Sequence, residues 1–135
     1  MPDIHGNLEA LDMVFRDLNH RNIDDIWFLG DAINYGCDSQ LVLRRLRKEV
    51  KLENWIAGNH EELYWGAGEL SFSKEAMTMM EYTRQFLEST EEGNFLIQNK
   101  DNMQRSSIKR VKDKIAIMTH HKPVFPFSLD IYRQS

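Results

Sequence analysis

Carboxylates, an amide and imidazoles gather in four short stretches of this chain: Asp3 and His5 in DIHGN, Asp31 in FLGD, Asn59 and His60 in AGNH, and His120 in MTHH. Asp3 and His5 are two residues apart, so on an extended segment both side chains leave the same side and aim at one point. Gly6 then permits a sharp turn, and Asn7 is a good N-cap for a following helix. Oxygen and imidazole donors in this mixture suit first-row divalent ions such as Mn²⁺, Fe²⁺, Zn²⁺ or Co²⁺. Cys37 is the single cysteine, which argues against a thiolate-bound structural zinc and against an intramolecular disulfide framework. The set reads as a catalytic metal site. Residue by residue there are inert alternatives: a helix-capping His60, a hydrogen-bonded His120 at a strand end, a solvated His20 at a helix end.

The elements that would position these residues follow from periodicity. Leu8, Leu11, Val14, Phe15 and Leu18 recur at helical spacing over residues 7–20, which predicts an amphipathic helix. DDIWFLGD is a short apolar run that ends in Gly30 and Asp31, as a buried parallel strand would. A second helix is expected over residues 38–49, with Asp38 as N-cap, Leu41, Val42, Leu43 and Leu46 on its apolar face, and cations near its C-terminus. ENWIAGNH then repeats the strand pattern and delivers Asn59 and His60 at its tip, so the rhythm is βαβ. A longer helix is expected over residues 73–90, capped by Ser71 or Ser73, with Ala76, Met79, Met80, Thr83, Phe86 and Leu87 on one face and the methionines as core filler. FLIQ, SIKRV and KIAIMTH read as strands, the last two joined as a hairpin around Lys112 and Asp113. In an open α/β sheet, strand tips of this kind are where ligands bind.

DIHGN, GD followed by NYGCDS, GNHE, and a late strand ending in histidine stand in one order along the chain, and that ordered set resembles the calcineurin-like metallophosphoesterase family. The segment after GD reads AINYG, without the arginine of the family's protein phosphatases and diadenosine tetraphosphatases, and is closer to its bacterial and archaeal phosphodiesterases, with Cys37 at a position where that subgroup often has proline. The resemblance implies a four-layer α/β/β/α sandwich and two divalent ions, Mn²⁺ first, with Fe²⁺, Zn²⁺, Co²⁺ or Ni²⁺ as alternatives. It implies that Asp3 and His5 hold the first ion, Asp31 bridges both, Asn59 and His120 hold the second, and His60 protonates the leaving group. His121 reads as a spectator beside His120. Two family features are missing: the strand before the first aspartate is reduced to Met1 and Pro2, and no Gly-His-x-His motif follows His121. The expectation is an incomplete sandwich, trimmed at both ends. Its parent activity is hydrolysis of a phosphodiester or phosphomonoester. The alternative is a catalytically inactive remnant acting as a weak metal-binding or interaction module.

Bulk properties limit the remaining classes. At 135 residues and 41% hydrophobic content, one domain over residues 1–135 is expected. Seventeen basic against 21 acidic side chains give a net charge of -4, which argues against a general nucleic-acid binder. The sequence shows neither a signal peptide nor a long apolar run, so a cytoplasmic protein without a membrane anchor is expected. The expected partner is a small phosphate ester or phosphodiester.

Overall fold

A computed structural model of the chain describes residues 1–68 and 72–120. The first helix, α1, is Leu8–Asn19, and the Asn7 side chain accepts from the Ala10 N–H at its start. Its buried face is Leu11 and Phe15, while Val14 is exposed. His20 caps the other end, its Nδ1 2.6 Å from the Arg16 carbonyl. The second helix, α2, is Ser39–Glu49, with Val42, Leu43 and Leu46 buried and Leu41 exposed. Asp38 stands at its N-cap position, yet its side chain makes no capping bond. A 3₁₀ turn, Leu52–Asn54, precedes the short helix α3, Asn59–Tyr64.

Between the helices run three extended strips. The middle one, residues 28–32, is bonded on both sides. Leu29 N–H donates to Met1 O at 2.8 Å and Asp3 N–H to Gly30 O at 3.1 Å, and the ladder continues from Ile4, His5 and Gly6. On the other side Phe28 N–H donates to Asn54 O at 2.9 Å and Ile56 N–H to Phe28 O at 3.0 Å. The expected parallel pairing is thus real but short, a single bridge between Phe28 and Trp55. Expected strand-tip residues Asn59 and His60 instead begin α3. The reason is local: Gly58 turns the chain, and Glu61, three residues on, accepts its N–H at 2.8 Å, half of a capping box.

Helix α4 is Lys74–Leu87, capped by Ser73 through the Ala76 N–H. Ala76, Met80, Thr83 and Leu87 are buried. Met79 and Phe86, expected on that face, are instead 37% and 60% exposed. FLIQ is not a strand. It lies in α5, Glu91–Gln98, where Thr90 accepts from Gly93 N–H, Glu91 and Glu92 occupy the first turn, and only Leu96 of the apolar run is fully buried. Acidic residues at a capped N-terminus favour a helix over the strand that a short apolar run suggests. Glu92 fastens α5 to α2 by accepting from Arg44 Nε at 2.8 Å and Gln40 at 2.9 Å. The hairpin forms as expected: β1, Ser106–Val111, pairs antiparallel with β2, Lys114–Thr119. Leu11, Phe15, Phe28, Val42, Leu46, Trp55, Met80 and Leu96 belong to one continuous core. Ser71 and His121 lie outside the described residues.

Close backbone approach ties the middle strip to α3. A Cβ on Gly30, whose φ is +92°, would lie 2.3 Å from Gly58 N, so both the dihedral and the space exclude a side chain. Gly30→Ala is therefore expected to destabilise the fold by about 3 kcal/mol or more, read as a drop in the urea midpoint at unchanged slope. A variant within 0.5 kcal/mol, roughly the scatter of neutral surface changes, would show that the strips separate easily.

Candidate metal centre

Asp31 stands at the centre of the chemistry. It is 3% exposed, and its Oδ1 accepts the His60 N–H at 2.9 Å. Its Oδ2 lies 3.5 Å from His5 Nε2 and 3.3 Å from His120 Nε2. Asp3 Oδ1 is 3.9 Å from His5 Nε2, and Asn59 Oδ1 is 3.0 Å from His120 Nε2. The six residues singled out by spacing therefore meet at one place, from the turn after the first strip, the end of the middle strip, the start of α3 and the position after β2.

The imidazoles are set by backbone carbonyls. His5 Nδ1 lies 3.2 Å from Ile33 O and His120 Nδ1 2.6 Å from Leu29 O. A carbonyl can only accept, so both Nδ1 atoms carry hydrogen, and in the neutral form each ring would turn an Nε2 lone pair toward the carboxylates. In that form Asp3 Oδ1, Asp31 Oδ2, Asn59 Oδ1 and two Nε2 lone pairs face one another. Acceptors converge in this way around a cation, so the donor set fits a divalent metal. Two overlapping groups share Asp31: His5, Asp31 and His60, and Asp3, Asp31 and His120. His60 thus stands as near to the cluster as the histidines expected to be ligands.

His60 is buried among rings, with centroids 4.6 Å from His5, 4.9 Å from Tyr35 and 5.1 Å from Phe72. Asn34 Nδ2 donates to its Nδ1 at 2.9 Å and also to Ala76 O at 3.2 Å. The hydrogen of the neutral ring is therefore on Nε2. Burial pushes the His60 pKa down from its ordinary value; Asp31 opposes this, and His5 and His120 add to it.

Sequence reading gave Glu61 no role, although it is the last letter of GNHE. Its carboxylate is buried and accepts three backbone N–H groups: Asp31 at 2.7 Å, Gly58 at 2.8 Å and Ala32 at 2.8 Å. Burial, with Asp31 next, raises its pKa against the pull of those bonds. One side chain so fixes both the GD turn and the GNH turn. Backbone strain is concentrated in the same place: Asp3, His5, Asp31, Asn34 and Tyr35 all have φ between 48° and 74°, each outside the regions ordinary residues prefer.

The family model for calcineurin-like phosphoesterases matches residues 1–133. An uncharacterized protein of Methanocaldococcus jannaschii, MJ0912, is 30% identical over 125 residues, which are 92% of this chain and 49% of that protein. A crystal structure of a metallophosphoesterase from Sphaerobacter thermophilus superposes with a TM-score of 0.57 at 22% identity, over 81% of this chain and 41% of that one. The chain thus spans about half the length of the curated relative it matches. Its fold is an incomplete α/β sandwich of that kind, with the β1/β2 hairpin the only multi-residue sheet among the described residues.

Glu61→Gln places an N–H₂ group against a backbone N–H whichever way the amide turns. The expected cost is about 1–3 kcal/mol of stability together with a roughly 10- to 100-fold loss of Mn²⁺ affinity, measured by urea denaturation and calorimetry. Unchanged metal affinity would mean that the two turns hold their shape without it.

Proposed function

The chain belongs to the calcineurin-like phosphoesterase family, and from that premise we propose that it derives from a dinuclear metal-dependent hydrolase of phosphodiesters or small phosphomonoesters, with Mn²⁺ as the first candidate ion. The observation that supports this reading is the convergence of carboxylate, amide and imidazole groups around Asp31. When bound, a pair of divalent ions supplies Lewis acidity at phosphorus and lowers the pKa of water.

The residues divide the work by their chemistry. Asp3 and His5 are assigned to one ion, Asn59 and His120 to the other, and Asp31, whose carboxylate offers two oxygens, to both. Asn59 contributes a neutral carbonyl oxygen, which limits the negative charge beside an anionic ester. His60 is assigned as the acid: its Nε2–H would face the leaving oxygen while Asn34 holds the other ring nitrogen, and proton transfer draws on the imidazolium form, which burial opposes and Asp31 favours. That places an acid next to the ligands without making it one. Among the described residues no helix is long and apolar enough to cross a membrane, and a cytoplasmic location is part of the same proposal.

A second reading is favoured by the exposed apolar residues Ile108, Ile115 and Ile117 on the hairpin: the chain binds metal and a protein partner without turnover. One experiment separates the two. Mn²⁺ binding is measured by calorimetry, and turnover with bis-p-nitrophenyl phosphate and with an alkyl aryl diester. The hydrolase reading expects binding and turnover that Asp31→Ala abolishes together. His60→Ala is expected to keep Mn²⁺ binding and to slow release of the poorer, alkyl leaving group by roughly 10² to 10⁴, with a smaller loss for p-nitrophenolate. Metal binding without turnover favours the partner-binding reading, and no binding of any divalent ion removes both.

A further inference from the structure

Beside the metal centre, and outside it, lies a cleft of about 550 Å³ between the turn at residues 36–39 and one face of α4. Its walls include Gly36, Cys37, Met79, Tyr82, Thr83 and Phe86, and none of its lining side chains is charged. A separate cleft of about 510 Å³ contains Asp3 and His5, and Gly36 and Cys37 belong to both. The two spaces therefore share Gly36 and Cys37 in their walls, and the neighbouring Tyr35 ring, 49% exposed, lines the Asp3 and His5 cleft 5.0 Å from the His5 ring and 4.9 Å from the His60 ring.

Three features give the cleft a chemical character. Its volume is that of a site for a small organic molecule. Met79, Tyr82 and Phe86 lie three and four residues apart on α4, so they share a face, and they are 37%, 64% and 60% exposed where Ala76, Met80 and Leu87 of the same helix are buried. Tyr35 keeps an aromatic ring at the boundary although its φ of 60° is costly for a residue with a Cβ. An uncharged wall whose rings and thioether are bordered by Ser39, Thr83 and Gln85 suits a flat, mainly apolar group, and it offers no cation to a second phosphate. The charge belongs to the neighbouring cleft.

We propose that this cleft receives an aryl group esterified directly to the phosphate, which leaves as the aryl alcohol when the P–O bond breaks, while the phosphate itself sits at the metal centre. The assignment rests on the phosphoesterase reading above and adds the substrate class to it. Tyr35 is then a specificity residue at the joint between the two parts of the substrate, and Met79 and Phe86 form the floor of the aromatic subsite.

The test uses binding to the whole chain, measured by calorimetry with Mn²⁺ present, and compares inorganic phosphate, methyl phosphate and 1-naphthyl phosphate. The naphthyl ester is expected to bind about tenfold or more tightly than the methyl ester, equivalent to roughly 1.4 kcal/mol. Met79→Ser with Phe86→Ser should remove that advantage and leave inorganic phosphate and Mn²⁺ binding unchanged. Both positions are exposed, so retained phosphate binding also reports an intact fold. Mn²⁺-dependent phosphate binding with no naphthyl advantage, or with an advantage that survives the double substitution, overturns the cleft assignment alone. Absence of Mn²⁺-dependent phosphate binding overturns the metal-centre reading and this assignment with it. A dimer in sedimentation that the double substitution dissociates also overturns it, since a second copy would then be the occupant.

Discussion

The buried carboxylate of Glu61 holds together what the rest of the site depends on. Its two oxygens take three N–H groups from two turns that are about 27 residues apart in the chain, and those turns carry Asp31 on one side and Asn59 and His60 on the other. A buried carboxylate is costly unless its lone pairs are used, and here backbone donors use them. The arrangement needs glycine at both points of contact, because a Cβ on Gly58 would lie 2.0 Å from Asp31 Oδ1. The hydrogen bonds, the glycines and the strained φ angles are one structure: strain of about 1–3 kcal/mol per residue persists at Asp31 because the backbone has nowhere else to go.

Much of the candidate site is legible in the sequence because its information is local. The tight order of DIHGN, GD, GNHE and a late histidine fixes which side chains converge, and the structure brings Asp3, His5, Asp31, Asn59, His60 and His120 together. The roles of single residues are less legible. Whether His60 acts as an acid or a ligand depends on distances of a few ångströms to Asp31 and on the amide of Asn34, and spacing says nothing about either. Glu61 escapes the eye because a glutamate two residues beyond a ligand looks like a solvated helix residue until its burial is known.

The elements show the same division. The first, second and fourth helices are plain from periodicity, and Asn7 and Ser73 cap the first and the fourth as expected. FLIQ misleads, since three apolar residues in a row carry no period that separates strand from helix, and the deciding signal is the Thr90 cap with two glutamates behind it. Met79 and Phe86 mislead in another way. Their spacing places them near the buried stripe of α4, but the stripe actually covered runs through Ala76, Met80, Thr83 and Leu87, about one residue to the side.

The double bonding of the middle strip has a consequence for how this molecule reaches its native state. Its partners on either side are 26 to 28 residues away, as in Leu29 with Met1 and Phe28 with Asn54, and the His120 contact to Leu29 spans 91 residues. Closing loops of that length costs entropy before any contact repays it, whereas α1 and α2 form from neighbours. The donor cluster is therefore assembled late, after the helices and around them. Under the assignment proposed above, a cation that needs Asp31, Asn59 and His120 at once would find them together only in the finished structure. It would slow the route out of the native state more than it would speed the route in, and so would act as persistence, not as guidance.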